Sequence, residues 1–348
     1  MRRLHLIIYI MAGVILTMTA CANSKKDSKK QKKTATETLV GPQFSADSAF
    51  VFCEKQCSFG PRIMNSEAHE QCAQWIVGKF ESYGMHVIEQ RATLTGYDGT
   101  RLLSNNIIAS FRPEATERIL LCAHWDSRPW ADNDPDEANW HKPVMAANDG
   151  ASGVAVMLEI ARLLSLEGDT ALNTQHSSLN PQLGIDFICF DAEDWGEPQW
   201  YDKATDGNTW ALGAQHWAAH PHHDGYRARF GILLDMVGGQ GARFYREGVS
   251  LQHAPKVVER VWQAAHACGH ASFFPRENGG YITDDHGPVN EVAGIPCIDI
   301  IPYYPDCRES SFGPTWHTVN DDMQHIDANT LKAVGQTLIQ VLYSEKVK

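Results

Sequence analysis

The chain has 348 residues and carries 42 acidic against 30 basic side chains, which gives a formal net charge of −12. Without the charged residues of the first 33 positions, about −19 remains on the rest. So acidic a body excludes nucleic-acid binding through phosphate contacts, because those contacts need lysine and arginine. The roughly 300 residues that follow position 40 are enough for one large domain with a buried core.

The N-terminus has the pattern of a secretory signal. Residues 1–3 are Met-Arg-Arg, residues 6–20 are largely apolar and uncharged, and Thr-Ala precedes Cys21. This arrangement resembles the lipobox of bacterial lipoproteins, which implies a signal peptide over 1–20 and a lipid on Cys21. The Lys-rich stretch 21–36 is then a flexible tether. We expect an exported lipoprotein, held by its lipid at the periplasmic face of the inner or outer membrane; an ordinary signal peptide is the alternative.

Apolar periodicity predicts alternating helices and strands in the rest of the chain. Helices are expected where apolar residues recur every three or four positions: 66–83, 154–164, 254–269 and 328–343. Strands are expected at short apolar runs: 86–94, 105–111, 118–124, 184–194, 230–236 and 295–301. This alternation predicts an α/β fold, a three-layer α/β/α sandwich around a mostly parallel or mixed central sheet. Because no repeat or second linker interrupts it, 37–348 is expected to be a single domain.

Three of the predicted strands end in side chains that bind metals. The third ends at His124, the fourth at Glu193 and Asp194, and the fifth at Asp235. A further acid, Asp149, precedes the long apolar helix. Ligands in such sheets collect beyond the carboxyl ends of the strands, and several carboxylates there repel one another unless a cation lies among them. Carboxylate oxygen with imidazole nitrogen suits Zn²⁺.

Three neighbouring positions refine this candidate site. His317, between an aromatic residue and a Thr-x-x-Asp-Asp run, is the candidate for the closing ligand. Asp126, two residues after His124, is placed to orient that imidazole. Glu193 and Asp194 are adjacent on a segment expected to be extended, so their side chains would point opposite ways. One acid could then bind the metal while the other transfers protons.

These motifs resemble those of the zinc aminopeptidase superfamily: His-x-Asp at 124–126, Asn-Asp-Gly at 148–150, an acid pair at 193–194, Leu-Asp-Met at 234–236 and His-Thr at 317–318. Within it, the chain is more similar to glutaminyl-peptide cyclotransferases of the animal type, from Ser-Phe-Gly-Pro-Arg at 58–62 to the last helix. Those enzymes turn an N-terminal glutamine into pyroglutamate and release ammonia. The resemblance implies a zinc-dependent glutaminyl cyclase with one catalytic domain of the zinc-aminopeptidase fold.

Three stretches are similar to the cyclases rather than to the peptidases. The sequence YITDDHGPV resembles the cyclase segment that supplies Ile282 to the pocket wall and Asp284 to a proton network. The sequence FGPTWH places Phe312 and Trp316 as in the apolar substrate pocket of the cyclases. The sequence WGEPQW, after the acid pair, places Trp200 near a pocket tryptophan of the family.

The resemblance also implies roles for the site residues. The ligands of one Zn²⁺ would be Asp149, Asp194 and His317. The catalytic acids, with Glu193 as general base, would be Glu193, Asp235 and Asp284. His124 and Asp126 would either contact the metal ligands without binding the first metal themselves, or hold a second metal. The partners would be peptides or proteins with an N-terminal glutamine, and the protein is expected to be a monomer.

Two departures from the cyclase pattern leave alternatives open. Asp194 stands where the animal cyclases carry glutamate, and Thr283 stands where they carry glutamine. Because His124 and Asp235 are also present, the chain could instead be a two-metal zinc aminopeptidase with Asp149 as the bridging ligand. A third alternative is a non-catalytic binding lipoprotein on the same fold, which predicts loss of the acid set, yet the acids are intact.

The cysteines carry no prediction of chemistry. An exported domain can form disulfides, and Cys53 with Cys57 is one possible pair, but spacing alone does not give the connectivity. The number of bound metals, the preference after the N-terminal glutamine and the oligomeric state also stay open at this point.

Overall fold

A computed structural model describes residues 39–167, 179–205 and 207–346. The predicted signal peptide over 1–20, the lipidation site Cys21 and the tether over 21–36 lie outside these residues. Contacts between Cα atoms group Glu37–Lys348 into one unit. Within the described part of the chain, no helix combines the length and the apolar character that a membrane crossing requires.

Helices and strands alternate along most of the chain. The strands are β1 (His86–Thr95), β2 (Arg101–Phe111), β3 (Glu117–His124), β4 (Leu183–Phe190), β5 (Gly231–Leu234) and β6 (Cys297–Ile300). The helices are α1 (Ala46–Cys57), α2 (Glu67–Ser82), α3 (Ala151–Ser165), α4 (Leu212–Ala219), α5 (Gly248–His253), α6 (Pro255–Ala267), α7 (His286–Glu291) and α8 (Ala328–Ser344). All six predicted strands and all four predicted helices are present.

One six-stranded sheet runs through the molecule in the order β1-β2-β4-β3-β5-β6. Strands β4, β3, β5 and β6 pair in parallel, whereas β2 is antiparallel to both of its neighbours. The mostly parallel, mixed sheet predicted from the apolar runs is therefore confirmed. Its parallel half brings the carboxyl ends of four strands to one edge.

Alternate residues of the strands face two separate cores, which makes the fold three-layered. On one face, Leu121 of β3 and Phe187 of β4 belong to a core that also includes α1, α2, α3, α6 and α8. On the other face, Leu120 and Ile188 pack with residues of α4 and α7. Because helices cover both faces, β4 is buried along its whole length and β3 is buried from Arg118 onward, as their mainly apolar sequences require.

Local signals explain where helices begin and end. The Ser66 hydroxyl accepts the backbone N–H of His69 at the start of α2, and Gly84 follows the helix with a φ of +72°. Helix α1 was not predicted, although the Ser45 hydroxyl caps it by accepting from the N–H of Ser48. A serine or threonine cap ahead of a short apolar stretch is the signal that could have found it.

The disulfide considered for Cys53 and Cys57 is not formed, since both are free thiols. The two cysteines lie one turn apart in α1, and the Cys53 thiol donates to the carbonyl of Ala147 at 3.0 Å. Cys53 is thus engaged with the segment that leads into α3.

Candidate metal centre and active site

The candidate site lies beyond the carboxyl ends of the parallel strands, where such sheets collect ligands. His124 is the last residue of β3, Asp235 directly follows β5, and Asp149 lies two residues before α3. The Nε2 atom of His124 is 3.0 Å from Oδ1 of Asp149 and 3.2 Å from Oδ1 of Asp235. All three side chains are buried.

Asp149 connects this trio to a second one. Its Oδ2 atom is 3.6 Å from Nε2 of His317, and the same nitrogen is 3.2 Å from Oδ1 of Asp194. Three groups of possible ligands lie at this site, and within each group the ligand atoms are within 4.8 Å of one another. They are Asp149–Asp194–His317, His124–Asp149–Asp235 and His124–Glu193–Asp194, of which the first two share Asp149. The structure therefore brings together the predicted one-metal set and the extra residues of the two-metal alternative.

The acid pair lies in a loop and not on an extended strand, which corrects the prediction for 184–194. Strand β4 ends at Phe190, and Ala192 adopts a left-handed φ of +53° that turns the chain. Strand alternation therefore does not separate the two acids. Instead the carboxylate of Asp126 accepts the backbone N–H groups of Glu193 and Asp194, each at 3.1 Å.

Asp126 thus has a larger part in the site than the sequence suggested. Its Oδ1 atom lies 3.5 Å from Nδ1 of His124, so the predicted neighbour contact exists. Its hydrogen bonds, however, fix the backbone of the acid pair. The buried carboxylate of Asp126, just after β3, therefore fixes the position of the loop after β4 relative to the end of β3.

Two further aspartates position metal-binding candidates, and sequence analysis missed both. Asp132 lies 3.5 Å from Nδ1 of His317 and accepts 3.0 and 2.8 Å hydrogen bonds from Arg128. Asp321 accepts the backbone N–H of Asp149 at 3.0 Å. Asp321 belongs to the Thr-x-x-Asp-Asp run after His317, and this run was the available signal; nothing in the spacing pointed to Asp132.

A cavity of about 280 Å³ opens directly onto these residues. Glu193 and Asp284 line it together with the candidate ligands. Its apolar wall includes three of the predicted pocket residues, Ile282, Phe312 and Trp316. The rings of Phe312 and Trp316 lie 4.8 Å apart, and the Trp316 ring stacks on the His317 imidazole at 3.8 Å.

The prediction that Trp200 lines this pocket is wrong. Its side chain is 38% exposed and packs against Trp140 and His141, away from the cavity lining. Trp210 lines the cavity instead, with its ring parallel to the His317 imidazole at 5.9 Å. The guanidinium of Arg128 lies 4.5 Å from the centre of the Trp210 ring on which it rests.

A family model for peptidase family M28 matches residues 106–342, more than half of the chain. The chain belongs to peptidase family M28. The resemblance drawn from the His-x-Asp, Asn-Asp-Gly and His-Thr motifs is therefore confirmed, as is the fold class that it implied.

Relatives in this M28 group bear two kinds of name. The crystal structure of glutaminyl cyclase from Bacteroides thetaiotaomicron, bound to N-acetylhistamine, is 51% identical, with a TM-score of 0.82 over 88% of this chain and 100% of that one. A leucine aminopeptidase precursor from Bacteroides thetaiotaomicron VPI-5482 is 50% identical, also with a TM-score of 0.82, over 89% and 100%.

A more distant relative is the bovine glutaminyl-peptide cyclotransferase, which is 26% identical over 256 residues. The match covers 67% of this chain and 64% of the bovine protein. The chain thus spans slightly less than two thirds of the curated relative's length.

In this M28 site the acids differ in their tendency to hold a proton. Burial, followed by the charge of Asp194, raises the pKa of Glu193 well above its ordinary value. Burial and Asp194 also raise the pKa of Asp149, to about 7. Burial is the largest single influence on Asp194 and would raise its pKa, but the hydrogen bond to His317 and the charges of His317, His124 and Arg128 together lower that pKa. Of the two adjacent acids, Glu193 is therefore the one suited to exchange protons.

A buried group of carboxyls extends behind the cavity. Burial and the charge of Asp235 raise the pKa of Asp284 to about 6. Asp285 and Asp299 are fully buried, and burial raises the pKa of each, with Asp284 as the next cause. Sequence analysis missed both; an aspartate inside the apolar strand β6 was the signal for Asp299.

The residues present fit a divalent cation. The Oδ2 atom of Asp194 is buried without a hydrogen-bond partner in the structure. The carboxylate oxygens and imidazole nitrogens face one another at 3.0 to 3.6 Å, and both atom types can bind a metal ion. The one-metal and two-metal sets share this property, and the donor types are those that zinc accepts.

Proposed function

We propose that the protein is a zinc-dependent glutaminyl cyclase, which converts the N-terminal glutamine of a peptide to pyroglutamate and releases ammonia. The observation that carries the proposal is the joint position of the Asp149–Asp194–His317 set and Glu193 in one small cavity with an aromatic wall. The glutaminyl cyclase of 51% identity supports it.

Each side chain has a definite part in this reaction. Asp149, Asp194 and His317 would hold the Zn²⁺, which when bound supplies Lewis-acid polarisation of the substrate's γ-carboxamide carbonyl. Glu193 accepts a proton from the α-amine as that nitrogen bonds to the γ-carbonyl carbon. Glu193 then gives the proton to the departing amide nitrogen, which leaves as ammonia.

The cavity wall favours ring closure over hydrolysis. Phe312, Trp316 and Ile282 present apolar surface that excludes water and holds the glutamine folded back on its own amine. Attack within one molecule is already an entropic advantage, so the site needs mainly to maintain that geometry. Asp235 and Asp284, which line the same cavity, complete the acid set around Glu193.

A two-metal aminopeptidase is the second candidate, and a specific observation favours it. The His124–Asp149–Asp235 set is as compact as the other, so the geometry accommodates a second cation. The relative named as a leucine aminopeptidase precursor, at 50% identity, supports this candidate.

Mass spectrometry of a peptide that begins with glutamine separates the two candidates. Loss of ammonia with every residue retained supports the cyclase, whereas loss of the first residue supports the aminopeptidase. The Glu193→Gln variant should lose at least about 100-fold in turnover, because the proton carrier is gone. Its zinc content should equal that of the wild type, and retained turnover would remove Glu193 from the mechanism.

We also propose that the protein acts outside the cytoplasm as a monomer, anchored by a lipid on Cys21. The support is the order of basic, apolar and small residues before that cysteine. Cys21→Ser should move the protein from the membrane fraction to the soluble fraction. A variant that stays with the membranes would refute the anchor.

A further inference from the structure

A second cavity of about 580 Å³ adjoins the catalytic pocket. Ile282, Thr283 and Asp284 line both cavities, so this three-residue segment forms the boundary between them. The other lining residues lie on or next to α4, α5 and α7, with Gln215 on α4 and Val249 on α5.

The chemistry of these walls is mixed. Of the residues that line the second cavity, only Asp284 and Glu291 carry an ionisable group, and Glu291 is exposed at the end of α7. Val249 is half-buried, and Val292 is 59% exposed. The cavity therefore offers apolar surface beside a solvated carboxylate, a combination suited to a peptide side chain with an apolar stem and a neutral or positive end.

The size of the catalytic pocket determines where the rest of a substrate must lie. The reacting groups line the cavity of about 280 Å³. A glutamine held against them occupies that cavity, so the chain after the glutamine continues beyond it. An extended peptide advances about 3.3 Å per residue, so the second and third residues stay within about 10 Å of the glutamine. The second cavity lies at that distance because it shares a wall with the first.

We propose that the second cavity binds the residues that follow the N-terminal glutamine, and that it prefers basic or uncharged residues to acidic ones. This inference rests on the proposed cyclase function. The preference follows from the Glu291 carboxylate and the acidic character of the whole chain, both of which repel a substrate carboxylate.

Filling the second cavity tests the binding. Val249→Trp should lower kcat/KM by about tenfold for a tetrapeptide that begins with glutamine, chiefly through KM. Glutamine amide, which ends before the cavity, should react as with the wild type. Val51→Trp, at a 54% exposed position on α1, is the matched control and should change neither substrate.

Reversing the charge tests the preference. Wild-type enzyme should favour Gln-Arg-Arg-Ala over Gln-Asp-Asp-Ala, and Glu291→Lys should reduce that ratio about threefold to tenfold or invert it. Glu81→Lys, a charge reversal at an exposed position on α2, should leave the ratio unchanged. Because Glu291→Lys changes an exposed residue, this test does not require the protein to accommodate a buried tryptophan.

The outcomes separate this inference from the proposed function. The binding cavity is refuted, and the cyclase function retained, if three results occur together. The wild type converts glutamine amide, Val249→Trp has no effect specific to the tetrapeptide, and Glu291→Lys does not change the ratio of the rates for the two charged peptides. If the wild type fails to cyclise glutamine amide and both peptides, the function fails and this inference fails with it.

Discussion

At the scale of single residues, neighbours rather than residue type decide what each acid does. Glu193 and Asp194 are adjacent, yet the pKa of Glu193 is raised and that of Asp194 is lowered. The hydrogen bond from Nε2 of His317 reaches Asp194 alone. The division of labour between a proton carrier and a metal ligand therefore follows from which acid faces the histidine.

Trp210 and Trp200 provide a matched pair for testing the pocket. Trp210→Ala should raise KM for a glutamine peptide about tenfold or more, because the ring lines the cavity and stacks beside His317. Trp200→Ala should leave KM within about twofold of the wild type. The measurement is steady-state cyclisation, with thermal unfolding to show that both variants fold. Equal losses in the two variants would contradict the assignment of Trp210 to the pocket.

At the scale of secondary-structure elements, the approach of α3 to the sheet sets the site geometry. A Cβ atom on Gly153 would lie 2.7 Å from Cβ of Ala123 on β3 and would also collide with the carbonyl of Leu234 on β5. Asp149 is four residues before Gly153, and Asp235 directly follows Leu234. The absence of a side chain at one position therefore keeps two candidate ligands close together.

Gly153→Ala is expected to cost about 1 to 3 kcal/mol of unfolding free energy, because the added methyl overpacks the interface of α3 with β3 and β5. Zinc affinity should fall as well, since Asp149 moves with the helix. Gly78→Ala on α2 is the control: no atom lies within 4 Å of the added Cβ, so stability should rise or stay unchanged. Denaturant unfolding and a zinc titration measure both quantities, and equal behaviour of the two variants would refute the close-packing explanation.

The sequence predicts elements better than it predicts loops. Strands such as β3 and β4 are largely apolar runs, interrupted by Arg118 and Asp186 respectively. Their existence could therefore be predicted, and with it the convergence of His124 and Asp235. The path of the chain between Phe190 and Leu212 could not be predicted, because it depends on left-handed backbone at Ala192 and Ala211. That path decides which tryptophan faces the cavity, and spacing alone favoured the wrong one.

At the scale of the whole molecule, one buried ion pair connects the strands. Asp186 on β4 accepts hydrogen bonds from Arg118 on β3 at 2.5 and 2.6 Å, from Ser110 on β2 at 2.6 Å and from the Tyr226 hydroxyl at 2.6 Å. Burial opposes the charged form, but Arg118 and the hydrogen bonds from Ser110 and Tyr226 together outweigh it and lower the pKa of Asp186. The charged carboxylate is therefore the form that the folded sheet stabilises.

Asp186→Asn should cost about 3 to 5 kcal/mol at neutral pH, because Arg118 stays buried without its partner charge. The pKa of Asp186 is lowered on folding, so its contribution is present above the unfolded-state value of about 3.9 and is lost as the pH falls through the lower folded-state value. The difference in unfolding free energy between wild type and variant should thus shrink in acid. A difference that stays constant from neutral pH down to about pH 3 would contradict this account.

The candidate ligands lie at positions from 124 to 317, on segments that meet only when the sheet is complete. An unfolded chain does not bring three of them together, so the proposed zinc would bind the native state alone. By mass action, free metal at one hundred times its dissociation constant then adds about 2.7 kcal/mol to the free energy of unfolding. The lifetime of the protein against proteases would follow the local supply of the metal, so that scarcity removes the protein as well as its activity.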